Sequence, residues 1–232
     1  MSELPQVLAL FVLRMASGYA LCLGLIGPGV TRGSWRRVSL FVIAALAVVA
    51  AVSGAPAAPT LSFAGAALLL ERALTFQVKG LSTPVWIVPP ALVALLAAEW
   101  PPGIDTFPSA VAIGGTLGAM LLGHSYLTAR GLSFEPLRRM ALLLFGILLL
   151  RGLSVIPAFL MHDLAMMDLV LLSMRVGLGL LLPLLLGWMV LQCVRVRSNQ
   201  SATGILYAMT VLVGVFGELV AVYLRVHARI PA

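Results

Sequence analysis

The chain is expected to fold as an all-α polytopic membrane protein, about eight transmembrane helices joined by short loops. Three observations predict this. Of its 232 residues, 61% are hydrophobic and only 10% charged, with a mean hydropathy of +1.09, whereas a soluble domain carries about 25% charged residues. Apolar runs of about 18 to 25 residues recur from end to end, each able to cross about 30 Å of hydrocarbon at 1.5 Å per residue. The alternating ten-residue segments of a membrane barrel are missing, and hydrocarbon cannot solvate an open backbone, so the runs must be helices.

Taken in order, the spans are expected at about 5–28, 38–54, 61–78, 84–100, 106–127, 137–157, 168–193 and 203–224. The opening stretch "MSELPQVLALFVLRM" carries Glu3 where a basic start would be, and Arg14 interrupts its apolar run, so it is read as a first span and not as a cleavable signal. The second span follows the basic turn holding Arg32, Arg36 and Arg37. The third is the hardest to place, because "LSFAGAALLLERALTFQV" holds Glu71 and Arg72. The fourth carries Pro89 and Pro90, and the seventh Pro183. Trp35, Trp86 and Trp100 fall near span ends, as interfacial anchors do.

Loop charge fixes the count and the orientation. With eight spans and both termini outside, the inner loops receive Arg32, Arg36, Arg37, Lys79, Arg130, Arg138, Arg139, Arg195 and Arg197. The outer side receives Glu3, Glu99, Asp105, Asp163 and Asp168, with Arg225 and Arg229. Deleting the third span inverts everything after it and breaks the positive-inside tendency. The excess of basic residues, pI about 10.4, thus marks inner loops of a bacterial inner membrane and not a nucleic-acid surface. Membrane lipid is the expected partner, with other membrane subunits as a further class.

The chain is read as one integral membrane domain, 1–232, with halves at 1–103 and 104–232 that resemble each other. "CLGLIGPGVTRGSWRRVSLFVIAALAVVAAVSGAP" and "LLGHSYLTARGLSFEPLRRMALLLFGILLLRGLSVIP" each run Leu-Gly, Arg-Gly, Arg-Arg, apolar span, Pro. An offset of four spans makes the two halves parallel four-helix repeats about an axis along the membrane normal. Spans one and five would be equivalent. Ala16, Ala20 and Gly24 on one, and Gly114 and Gly118 on the other, give faces on which two backbones can approach closely, a central pair.

Ionisable residues inside a membrane are expensive and become candidate site residues. Arg14, Glu71, Arg72, Arg151, Arg175 and Glu218 are the set. By span direction and rise, Arg14 and Glu71 lie about 13 to 15 Å below the outer face and Arg175 about 9 Å, with Arg151 and Glu218 at a similar level. Four arginines and two glutamates in one layer predict either an ion-pair network that fixes packing or a ligand site with surplus positive charge for an anionic group. Near the opposite face His124, Tyr126, Gln192, Asn199, Gln200, Ser201, Thr203 and Tyr207 form an inner polar rim, with Ser201 or Thr203 suited to cap the last helix.

No cofactor is assigned. His124, His162 and His227 do not share a level, as a bis-histidine haem requires, and zinc spacing, Walker, Rossmann and nucleophile-elbow motifs are missing. Cys22 and Cys193 read as two packed thiols. Loops this short leave no room for a soluble catalytic domain. A small-solute or lipid transporter, a membrane subunit of a respiratory or quinone-reactive complex, and a lipid-modifying enzyme using His124 with Tyr126 or the outer glutamates stay open, in that order.

Overall fold

A computed structural model describes residues 3–26, 33–76, 83–103, 105–128, 133–161 and 166–227, and among them there is helix and no strand. The helices are α1 (Glu3–Ile26), α2 (Gly33–Val52), α3 (Ala57–Thr75), α4 (Thr83–Ala98), α5 (Thr106–Thr128), α6 (Glu135–Met161), α7 (Met166–Val176), α8 (Leu182–Arg195), α9 (Asn199–Val211) and α10 (Val220–His227). Two π-helical stretches, Gly177–Leu181 and Leu212–Leu219, join α7 to α8 and α9 to α10, making eight continuous rods. Five of these rods, α1, α2, α5, α7–α8 and α9–α10, are long and apolar enough to cross a membrane; α4 is a shorter apolar helix.

Packing falls into two rings. In the first, α1 touches α2, α2 touches α3, α3 touches α4, and α4 returns to α1. In the second, α5 touches α6, α6 touches α8, α8 touches α9, and α9 returns to α5. The rings meet along α1 and α5, the most extensive helix pair of the molecule. Small residues make that crossing possible: a Cβ on Gly18 would fall on the carbonyl of Ala110, and one on Gly114 would fall on the backbone of Gly18 and Tyr19. Leu13, Ala16, Tyr19 and Ala20 on α1 are fully buried there. The periphery is apolar instead, with Phe41, Val52, Leu69, Leu153, Leu181 and Trp188 exposed, the inverse of what water would select.

Pro183 accounts for the first π-helical stretch. A proline in a helix interior has no N–H to give the carbonyl four residues back, here Gly179, and its ring crowds that carbonyl. Widening over Gly177–Leu181 moves the bonding to a five-residue step, with the Leu182 N–H donating to the Gly177 carbonyl. The two π-helical stretches pack against each other where Gly179 and Gly217 bring their backbones together. Pro89 and Pro90 do not break α4, which runs through them.

Two local expectations are corrected. The third helix begins at Ala57, four residues before the expected start, and ends at Thr75, so Glu71 and Arg72 sit in its last turns instead of its middle. Trp35 is buried and is not an interfacial anchor, while Trp86 and Trp100 are exposed. Arg32, Lys79, Arg130, His162, Asp163 and Arg229 lie outside the described residues.

Candidate functional site

Arg14, Arg151, Arg175 and Glu218 converge. At 1.5 Å per residue each lies about 13 to 17 Å from the end of its rod, and these ends share one side of the bundle, where the α4–α5 link also lies. We call it the Glu99 end. The arginines come from α1, α6 and α7, and Glu218 from the second π-helical stretch. All four side chains are buried.

Arg14 is held in a fork. Its Nε and Nη2 donate to Glu99 Oε1 and Oε2 at 2.5 and 2.6 Å, and its Nη1 donates to Ser109 Oγ at 2.8 Å. Arg151 makes the matching fork in the other half, Nε and Nη2 donating to Glu218 Oε1 and Oε2 at 2.9 and 2.8 Å. Ser109 joins the two pairs, because its hydroxyl accepts from Arg14 and donates to Glu218 Oε2. Asp105 stands between them, 3.8 Å from Arg14 Nη2 and 4.0 Å from Arg151 Nη1. Arg225 of α10 closes the end, with Nη1 2.8 Å from Glu99 Oε2 and 3.4 Å from Asp105 Oδ2. Thr106 donates to the same Glu99 oxygen at 2.9 Å.

Arg175 differs from its neighbours. It is 0% exposed, yet none of Nε, Nη1 and Nη2 has a hydrogen-bond partner among the described residues. Its electrostatic neighbours are of both signs: Arg151 and Arg14 repel the guanidinium, while Glu218 and Asp105 attract it. The cluster as a whole holds four guanidiniums, of Arg14, Arg151, Arg175 and Arg225, against three carboxylates, of Glu99, Asp105 and Glu218. A cleft of about 310 Å³, lined by Gln6, Leu10, Trp100, Glu99 and Arg225 among others, opens onto this end.

Glu71 and Arg72 are not part of it. They pair with each other at 4.0 Å, Glu71 also accepts from Thr75 Oγ1 at 2.9 Å, and the Arg72 side chain is 74% exposed. Four residues from the end of α3 they are about 6 Å from its C-terminus. Trp86, at the start of α4, lines one groove with Leu69 and Ala73, so this is the end of the bundle remote from Glu99. There Arg72 complements the helix C-terminus. Arg72→Gln is expected to shift stability by less than about 0.5 kcal/mol, readable as an unchanged unfolding transition in detergent.

The polar rim divides. Tyr207 Oη lies 3.2 Å from His124 Nδ1, and Thr203 Oγ1 donates to the carbonyls of Gly123 and Asn199 at 3.1 and 2.8 Å, so α5 and α9 are tied at this level. Tyr126 turns away, donates to the Ser133 carbonyl and stacks on Phe134. Gln192 meets Arg195 on α8 at 3.4 Å, and Gln200 and Ser201 are exposed. The expected cap by Ser201 or Thr203 does not form. The N-cap position is Ser198, which makes no side-chain cap bond and follows Arg197 at φ 58°. With Thr203 a full turn inside α9, its hydroxyl bonds back to the Asn199 carbonyl instead. Among the described residues no group of three or more metal-ligating side chains occurs.

The chain matches no protein-family model, no curated protein and no solved structure. The functional reading therefore rests on the Glu99 end itself. Sequence reasoning missed five of its members, Glu99, Asp105, Thr106, Ser109 and Arg225.

Proposed function

We propose that this protein is a multi-pass transporter of the bacterial inner membrane that moves a small anionic solute or lipid head group through the charged layer. In this reading all eight rods span, both termini are outside, the two rings are parallel repeats, and the Glu99 end is the outer half. The identical order of contacts in the two rings supports the duplication. The observation that carries transport is the cluster at the junction of the rings: its buried members are three guanidiniums and three carboxylates, and the partly exposed Arg225 at its edge adds one more positive charge. Structural ion pairs alone would balance. Here two balanced forks surround an additional cation, and a cleft reaches the cluster from one side.

Liposomes containing this chain alone are expected to take up a small labelled anion such as acetate or nitrate at several times the rate of protein-free vesicles. Arg175→Gln should bring uptake to the protein-free level. Absence of flux, together with native mass spectrometry showing other polypeptides or a haem or quinone mass bound, would replace transport by the complex-subunit reading.

A further inference from the structure

We infer that Arg175 is an anion subsite, and that it takes a small, singly charged carboxylate. The inference rests on the reading of the charged layer as a ligand site and narrows it to one side chain and one ligand class.

Of the four guanidiniums, three are engaged within the cluster. Arg14 uses all three nitrogens on Glu99 and Ser109, and Arg151 commits a two-pronged edge to Glu218. Arg225 is engaged by Glu99 and Asp105. Two of the carboxylates are fully committed: Glu218 accepts a fork plus the Ser109 hydroxyl, and Glu99 accepts from Arg14, Thr106 and Arg225, while Asp105 accepts from Arg225 at 3.4 Å and lies 3.8 and 4.0 Å from Arg14 and Arg151. Arg175 alone offers a full set of donors while buried from all sides. Asp168 on the same helix forms no ion pair with it among the described residues. A guanidinium stays protonated and presents five N–H donors in a planar fork, and a buried charge of that kind is paired in stable proteins. Since no described residue supplies that pair, an external anion is the group inferred to do so.

Charge and shape then define the ligand. One positive charge is in excess, so one negative charge neutralises the layer, whereas a dianion would overshoot. Two oxygens in a plane match the guanidinium fork, which favours a carboxylate over a spherical halide. The cleft bounded by Glu99 and Arg225 opens onto the edge of the cluster, with the Arg225 side chain, 27% exposed, at the boundary between the two; Arg175 itself does not line it, so entry is inferred to pass Arg225.

The test is binding to the purified chain in detergent, without any flux measurement. Unfolding is followed by tryptophan fluorescence at constant ionic strength while sodium acetate, chloride or sulfate replaces a bulky sulfonate. Acetate is expected to raise the unfolding temperature saturably, by about 5 °C at roughly a hundred times its dissociation constant. Chloride should act more weakly and sulfate not at all. Arg175→Met should abolish the acetate response while unfolding no earlier than the wild type in the sulfonate buffer, since it removes a charge with no internal partner. An acetate response that is absent in the wild type, matched by sulfate, or retained in Arg175→Met overturns the subsite. So does an Arg175→Met chain that unfolds well below the wild type in sulfonate, which would reveal an internal partner. Acetate binding without liposome flux would keep the subsite and remove the transport reading.

Discussion

Arg151→Leu should destabilise the protein by about 3 to 5 kcal/mol, the cost of leaving one member of a buried ion pair uncompensated. Glu218 is 1% exposed and receives both prongs of Arg151. Without them its carboxylate keeps the Ser109 hydroxyl and the fields of Arg175 and Arg14. The loss would be read as a large drop in the midpoint of detergent- or heat-induced unfolding. The double change Arg151→Met with Glu218→Leu removes the orphan charge and should recover at least half of it, because a neutral pair is replaced by apolar groups of similar length. A double variant as unstable as Arg151→Leu would show that the fork contributes through more than its own neutrality. The contrast with Arg175 is the point of the comparison. Both side chains are 0% exposed. Arg151 is paired with Glu218 and should be structural; Arg175 has no hydrogen-bond partner among the described residues, and its removal should cost a ligand and little stability.

This division could not be read from the sequence, although the layer itself could. Depth counted from span direction places Arg14, Arg151, Arg175 and Glu218 together, because rise per residue is a fixed property of a helix. It misplaced Glu71 and Arg72, since an error of four residues in the start of α3 is about 6 Å of depth, and these two sit close to the other end. Their place is taken by Glu99 and Asp105, assigned to the outer side with a Trp-Pro-Pro-Gly turn between them. The turn folds back so that both carboxylates face Arg14. A signal was available: four intramembrane arginines against two glutamates leave two charges to find, and Glu99 and Asp105 are the acids at that end of adjoining spans. Ser109 carried none, being one hydroxyl in a small-residue stretch.

Helix type and order were legible for a simpler reason. Apolar length and hydrocarbon thickness determine that the runs are helices. Bonding within them depends on details that composition does not hold. The first π-helical stretch follows from Pro183, and the second packs on it where Gly179 and Gly217 of the last two rods meet. The central pair was visible as faces of small residues, and Gly114 and Gly118 do lie against α1, but the closest approach on α1 is at Gly18, and Gly24 faces Pro84 and Val88 of α4.

That crossing predicts the second large effect. Gly114→Val should lower stability by about 3 kcal/mol or more, and Gly18→Val should match it, because each added side chain meets backbone and not a movable side chain. At Gly114 the obstruction is the Gly18 and Tyr19 backbone; at Gly18 it is the Ala110 carbonyl, which α5 cannot withdraw without unpacking the interface between the rings. Gly146→Val and Gly152→Val on α6 are the controls, since nothing lies within 4 Å of a Cβ at either; both should cost under about 1 kcal/mol, as ordinary helix-interior glycine replacements do. Unfolding midpoints of the four variants in one detergent decide the matter. Equal losses at all four would mean that the change reflects glycine replacement in a helix generally. Losses confined to α1 and α5 would place the mechanical centre at their crossing. Ser109 lies four residues before Ile113 and one before Ala110, so the same crossing that unites the rings also sets the distance between the Arg14 and Arg151 forks. A valine that pushes α5 away from α1 should therefore weaken acetate binding at Arg175 in any variant that still folds, without touching a charged residue.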